Sequence, residues 1–351
     1  MKQIKALALF SGGLDSLLSM KLLIDQGIEV TALHFNIGFG GNKDKREYFE
    51  NATAQIGAKL LVCDIREQFF NDVLFKPKYG YGKYFNPCID CHANMFRNAF
   101  YKMLELNADF VLSGEVLGQR PKSQRKEALN QVRKLVREVG EEARFDKVLD
   151  RTQASGEKPQ FLDELLLRPM SAKLLEPTFM EKKGFVDREK LLDVSGRGRT
   201  RQLQMIKDYG LKYYEKPGGG CLLTDIQVSN KIKNLKEYRE MVFEDSVIVK
   251  IGRYFVLPHN ARLVVARNEE ENHKLDIEHP LMDKIELLSC KVTLSLVDKN
   301  ASQEDKELPA YRIALGYAKT LKNQAYLIQI GNEKRELYPL DKESAREYLF
   351  A

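Results

Sequence analysis

Residues Leu7 to Ser19 read LALFSGGLDSLLS. The apolar run Ile4–Phe10 has the length of a buried parallel strand, and it breaks at Ser11-Gly12-Gly13. Leu14, Leu17, Leu18, Leu22 and Leu23 then recur at helical spacing, which predicts a helix to about Gln26, stopped by Gly27. A strand, a glycine turn and a helix start expose backbone N–H groups beside the positive end of a helix dipole, an arrangement suited to an anion. Gly12 and Gly13 let the backbone curl around a phosphate with no Cβ in the way, and Ser11 and Ser16 add hydroxyl donors. Asp15 suits phosphate accompanied by Mg²⁺ rather than bare phosphate. The same residues also describe a plain strand-to-helix turn capped by Ser or Asp. The lysine of G-x-x-x-x-G-K-S/T is missing, and so is G-x-G-x-x-G, which disfavours a Walker-type NTPase and a dinucleotide fold.

Ser11–Ser16, SGGLDS, fits the pattern S-G-G-x-D-S at every fixed position and resembles the PP-loop of the ATP pyrophosphatase superfamily. The resemblance implies Mg²⁺-ATP in this loop, cleavage between the α and β phosphates, adenylation of a substrate and release of pyrophosphate. Asp15 would act through the metal.

EVTALHFN (Glu29–Asn36), AKLLVCDI (Ala58–Ile65) and NADFVLSGEVLGQRP (Asn107–Pro121) read as further strands separated by helical stretches. This alternation predicts an α/β fold with a doubly wound parallel sheet. Ligands of such sheets sit at the carboxyl ends of the strands. That edge collects Ser11–Ser16, Phe35, Ser113 and Gly114, with Phe35 placed to flank adenine and Gly114 to admit the nucleotide. His34 reads as a hydrogen-bonded strand-end histidine. Lys173, in LLLRPMSAKLLEPT (Leu165–Thr178), is either a catalytic counter-charge to pyrophosphate or a surface lysine; similar segments follow the sheet in related PP-loop proteins. DRTQASGEKPQ (Asp150–Gln160) reads as an exposed loop.

The expected boundary falls at 228/229, with the PP-loop domain in 1–228 and a smaller α+β domain in 229–351. The second domain opens with two or three strands around a Pro-His-Asn turn, and LVVARNEEEN (Leu263–Asn272) resembles the RNA-binding region of NFACT proteins. The 351 residues, 43% hydrophobic and 30% charged, describe a soluble globular protein. No apolar stretch approaches the roughly 18 residues of a membrane span, and no signal peptide is apparent, so the expected location is cytoplasmic, away from membranes. Within a net charge of +6, Arg120, Lys122, Arg125 and Lys126 crowd one segment, while Arg197, Arg199 and Arg201 alternate in another. These are solvated faces or RNA contacts. No aromatic residues interleave with them, so the contacts would be to phosphates rather than stacked bases.

Five cysteines in such a chain argue against structural disulfides. Cys63 and Cys290 lie in apolar runs and read as core strand cysteines. Cys88 and Cys91 form C-x-x-C in YFNPCIDCHANMF, ahead of a helical pattern, and Cys221 follows Gly218-Gly219-Gly220. Spacing leaves four readings: zinc on Cys88, Cys91, His92 and Cys221; a thioredoxin-type pair; catalytic cysteines carrying and resolving a persulfide; or an iron–sulfur cluster with one open iron. NPCIDC (Asn86–Cys91) resembles the N-P-x-x-x-C of tRNA 2-thiouridylases, which puts Cys91 at their catalytic position. GGGCLLTD (Gly218–Asp225) resembles their second cysteine segment, which implicates Cys221. Other tRNA thiolases of the superfamily hold a [4Fe-4S] cluster on C-x-x-C plus a distant cysteine. The additional Cys88 favours that cluster here, with the persulfide route as the alternative. The expected function is ATP-dependent tRNA thiolation, with tRNA and a sulfur donor protein or free sulfide as partners. An amide- or amidine-forming synthetase and a non-catalytic nucleotide- and RNA-binding protein are the alternatives.

Overall fold

β1 (Lys5–Leu9) lies at the centre of a five-stranded, wholly parallel sheet ordered β3-β2-β1-β4-β5. Its neighbours are β2 (Glu29–Asn36) and β4 (Phe110–Ser113), flanked by β3 (Lys59–Asp64) and the two-residue β5 (Leu166–Leu167). Leu7 pairs with Thr31 on one side and Val111 on the other. Ala6, Leu7 and Ala8 are all buried, because helices cover the sheet and leave no strand face for polar residues. This computed structural model describes residues 3–41, 45–146, 149, 157–215, 220–290, 293–330 and 333–350. Residues 150–156 of the expected exposed loop, and Gly218 and Gly219, lie outside them.

The helices of the first unit include α1 (Leu14–Ile24), α2 (Arg46–Ala54), the short α3 (Arg66–Phe69), α4 (Cys88–Glu105) and α5 (Lys126–Val139), and Gln202 lies on a later helix, Thr200–Asp208. α1 buries Leu14, Leu17, Leu18, Leu22 and Leu23, the predicted stripe, and the chain turns at Gly27 with φ +79°. α4 buries Cys91, Phe96, Ala99, Phe100 and Met103 against the sheet and α5. Burying side chains the size of Phe96 and Phe100 is worth about 1.5–3 kcal/mol each. Because β2 and β3 lie to one side of β1 and β4 to the other, the chain reverses direction at the carboxyl ends of β1 and β4. A crevice at that point is where such sheets hold ligands. Cys63 is buried in β3.

The chain forms two compact units, Met1–Cys221 and Leu222–Ala351. The second is α+β. Strands β6 (Arg253–Val256), β7 (Arg262–Val265), β8 (Met282–Lys284) and β10 (Ser295–Asp298) form an antiparallel sheet ordered β6-β7-β10-β8. β9 (Glu286–Leu287), β11 (Tyr326–Ile330) and β12 (Glu333–Leu337) form another, ordered β12-β11-β9. Leu263, Val265, Val297, Ile313 and Ile328 are fully buried in its core. Cys290 is half-buried in a bend after β9 rather than in a strand, because pairing with β11 ends before it.

Candidate active site

The turn after β1 is built by its glycines. Gly12 has φ +82°, and a Cβ there would lie 2.5 Å from the Phe49 ring. Gly13 is the extended residue capping α1, and Ser16 Oγ donates to its carbonyl at 2.8 Å. Ser11 is exposed beside it. Gly114 permits a close approach of the chain itself, since a Cβ there would run into the backbone N and Cα of Ser16. The end of β4 and the start of α1 are therefore in backbone contact.

Asp15 lies in the first turn of α1, its side chain 17% exposed. Gln119 Nε2 donates to it at 2.5 Å and Gln202 Nε2 at 3.4 Å. Arg199 Nε stands 3.8 Å away, buried and without a hydrogen-bond partner. Burial raises the Asp15 carboxyl above its ordinary value, opposed by Gln119, Arg199, Gln202 and Arg120.

Segment 113–124 also reaches the cysteines. Cys88 opens α4 behind Pro87, with His92 one turn on, and the side chains of His92 and Ser123 act on its thiol. His92 Nδ1 meets Glu115 Oε1 at 2.8 Å, and Arg168 Nε donates to Glu115 Oε2 at 2.8 Å. Ser113 Oγ, buried at the end of β4, lies 3.2 Å from the same carboxylate. Burial pushes the Cys88 thiol up, but His92, Ser123 and Arg120 outweigh it and bring it down to about 7. Burial likewise pushes His92 down, yet Cys88 and Glu115 raise it to about 10. Burial raises Glu115, while Arg168 and His92 more than offset this and hold it at about 2. At neutral pH the row runs from a partly ionised thiol through an imidazolium and a carboxylate to a guanidinium.

Cys91 is buried, and burial together with the charges of Cys221, Cys88 and Asp90 pushes its thiol well up. Cys88 and Cys221 thus each lie near enough to Cys91 for their charges to act on its thiol. Among the described residues, however, no three His, Cys, Asp or Glu side chains are placed to hold a metal ion. The [4Fe-4S] cluster expected on Cys88, Cys91 and Cys221, and a zinc ion with His92, are therefore not shown among the described residues.

Other expected site residues are placed as follows. Phe35 is buried in the hydrophobic core, while His34 bonds the Phe10 carbonyl at 3.1 Å and packs at a tilt against the Phe49 ring. Lys173 is exposed, its Nζ on the Glu189 carbonyl and carboxylate at 2.9 and 3.1 Å. Arg120, Lys122, Arg125, Lys126 and Arg197 are exposed, and Arg201 pairs with Asp193. Arg168 comes from LLLRPMSAKLLEPT, the segment expected at the mouth of the site, whereas Glu115, Gln119, Ser123 and Gln202 carry no motif. The one signal for His92 beyond a zinc reading was its i,i+4 spacing from Cys88.

With this geometry in view, comparison with known proteins divides the chain in two. Residues 4–137 match the family described as the tRNA methyl transferase HUP domain, and residues 252–349 match the NFACT protein RNA binding domain. The first unit resembles PP-loop tRNA thiolation enzymes. The tRNA-specific 2-thiouridylase MnmA of Sulfurimonas denitrificans is 35% identical over 121 residues, covering 32% of this chain and 35% of that protein. That of Amoebophilus asiaticus is 29% identical over 129 residues, covering 32% and 34%. The chain thus spans about a third of the length of these relatives. A solved 4-thiouridine synthetase–RNA complex with bound ATP aligns at 17% identity over 59% of this chain and 51% of that one, with a TM-score of 0.33. No described helix is long and apolar enough to cross a membrane.

Proposed function

We propose that the protein is an ATP-dependent tRNA thiolation enzyme. One observation carries this reading: segment 113–124 supports both a phosphate cradle, through Gly114 and Gln119, and a reactive thiol, through Glu115 and Ser123. Backbone N–H groups of the Ser11–Ser16 turn would hold ATP phosphates, and the unpartnered Arg199 Nε would take an oxygen of the departing pyrophosphate. A bound Mg²⁺ would neutralise phosphate charge, with Asp15 as its carboxylate. The base oxygen is adenylated. Sulfur then attacks the same carbon, the C–S bond forms as the C–O bond breaks, and AMP leaves.

The sulfur is carried as a persulfide on the cysteines. When its terminal sulfur bonds the base, a neighbouring cysteine thiolate attacks the inner sulfur, a cysteine disulfide forms and the base departs as its thiolate. An external thiol reductant then restores both cysteines. Arg120, Lys122, Arg125, Lys126 and Arg197 would hold the tRNA backbone, with the second unit as a further RNA-binding module. The test pairs product analysis with nucleoside mass spectrometry of tRNA from a deletion strain. We expect AMP and pyrophosphate, both abolished in Asp15→Ala, and loss of one thionucleoside in vivo. ADP and orthophosphate, or an unchanged thionucleoside profile, would overturn the reading; stoichiometric iron after anaerobic reconstitution would replace the persulfide with the cluster.

A further inference from the structure

We propose that Cys88, not Cys91, is the sulfur-accepting nucleophile, and that His92, Glu115 and Arg168 form the relay that holds it ready. The inference rests on the thiolation reading but adds to it the assignment of the first sulfur-transfer step. Three features single out Cys88. It is half-buried, whereas Cys91 is 7% exposed, so an incoming donor meets Cys88 first. It is the first residue of α4, where unpaired backbone N–H groups and the helix dipole favour an anion. His92 follows it by one turn of α4, on the same helix face, and the His92 Nδ1 is fixed on Glu115 at 2.8 Å.

The relay has a fixed direction. Arg168 and Glu115 side chains are each 5% exposed, and the Arg168 Nε bond at 2.8 Å leaves that carboxylate no reason to take a proton from His92. The imidazolium therefore keeps both protons, one aimed at Glu115 and the other at sulfur. Cys88 receives a cation on a rigid arm rather than a base that could wander. Ser123 and Arg120, from the segment that also touches Asp15, complete the surroundings of the thiolate.

The step balances without an outside oxidant. The Cys88 thiolate attacks the terminal sulfur of a persulfide-bearing donor. A new S–S bond forms at Cys88, the donor's own S–S bond breaks, and the donor leaves as its thiolate. The proton on the terminal sulfur stays with it. His92, Glu115 and Arg168 act through Cys88 and are positioning residues; Cys88 alone touches the reacting sulfur.

The test is to mix the full chain with glutathione persulfide, without ATP or tRNA, and locate one added sulfur atom by peptide mass spectrometry. We expect it on Cys88 within the first turnover, and on no cysteine in Cys88→Ser. In His92→Gln the rate at neutral pH should fall about tenfold, the ratio of thiolate present with and without the stabilising cation. Ser123→Ala, a milder change, should lower it about twofold to threefold, in line with the loss of one hydrogen bond. ATP binding, read separately, should not change in either variant, which separates a positioning defect from misfolding. Sulfur arriving first on Cys91 or Cys221, or an undiminished rate in His92→Gln, would overturn the proposal. Because neither ATP nor tRNA is present, such a result would leave the thiolation reading to its own test.

Discussion

The two units each bury an arginine, an acid and a histidine in a row, and the rows differ at one end. In the first, Arg168, Glu115 and His92 lead to the Cys88 thiol, with the His92 side chain 17% exposed. In the second, Arg239 grips Asp245 through two bonds at 2.7 and 2.8 Å, and His279 Nε2 lies 3.1 Å from the same carboxylate. His279 is fully buried, and its Nδ1 accepts the Leu281 N–H at 3.2 Å. Both ring nitrogens are used within the fold, so this row ends in backbone. The same three residue types close on the main chain in one unit and, in the other, stand beside the thiol proposed as a nucleophile.

That contrast can be broken by replacing the acids. Asp245→Ala leaves a buried arginine without its partner and should cost about 3–5 kcal/mol of stability in urea titrations. Glu115→Gln should cost a comparable amount, since it strands Arg168. Only Glu115→Gln should also slow iodoacetamide alkylation of Cys88. If Asp245→Ala slowed it equally, the two rows would not be functionally distinct.

A pH series sharpens the difference. Glu115 falls from an ordinary 4.5 to about 2 in the folded protein, so its contribution is complete above pH 4.5 and is lost as pH falls toward 2. His92 runs the other way. Raised from 6.5 to about 10, it contributes fully below pH 6.5 and fades as pH rises through 10. The first unit should therefore lose stability at both extremes, and Glu115→Gln should flatten the acid side of the curve. An unaltered acid limb in that variant would remove the ion pair from the account.

The smallest effect belongs to an exposed pair. Lys173 and Glu189 sit 33% and 86% exposed at 3.1 Å, and Lys173→Ala should change stability by about 0.5 kcal/mol or less. A larger loss, read by the same titration, would mean that exposure is a poor guide to which ionic contacts matter here.

The cradle was legible because everything that makes it is local. A strand of about five residues, glycines with positive φ and a leucine stripe lie within one stretch of chain, and each obeys a short-range rule. The cysteine site was legible only in part. C-x-x-C marked the place, but Glu115 and Arg168 come from the ends of β4 and β5, and nothing near either residue announces a histidine on α4. Arg199 looked like one of three alternating surface cations, yet the fold turns it toward Asp15 while Arg201 stays outside on Asp193. In the second unit, β8 and β9 are only three and two residues long, and β12 reads EKREL, too polar to signal a strand. Their pairing with β10 and β11 creates them, not their own propensity.

Gly114 carries a mechanical consequence. With no side chain between it and Ser16, the end of β4 and the start of α1 touch through their backbones, and any larger residue at 114 would have to push the two apart. On the thiolation reading, an adenylate formed at the Ser11–Ser16 turn would lie beside the cysteines, so the path left to water would be short.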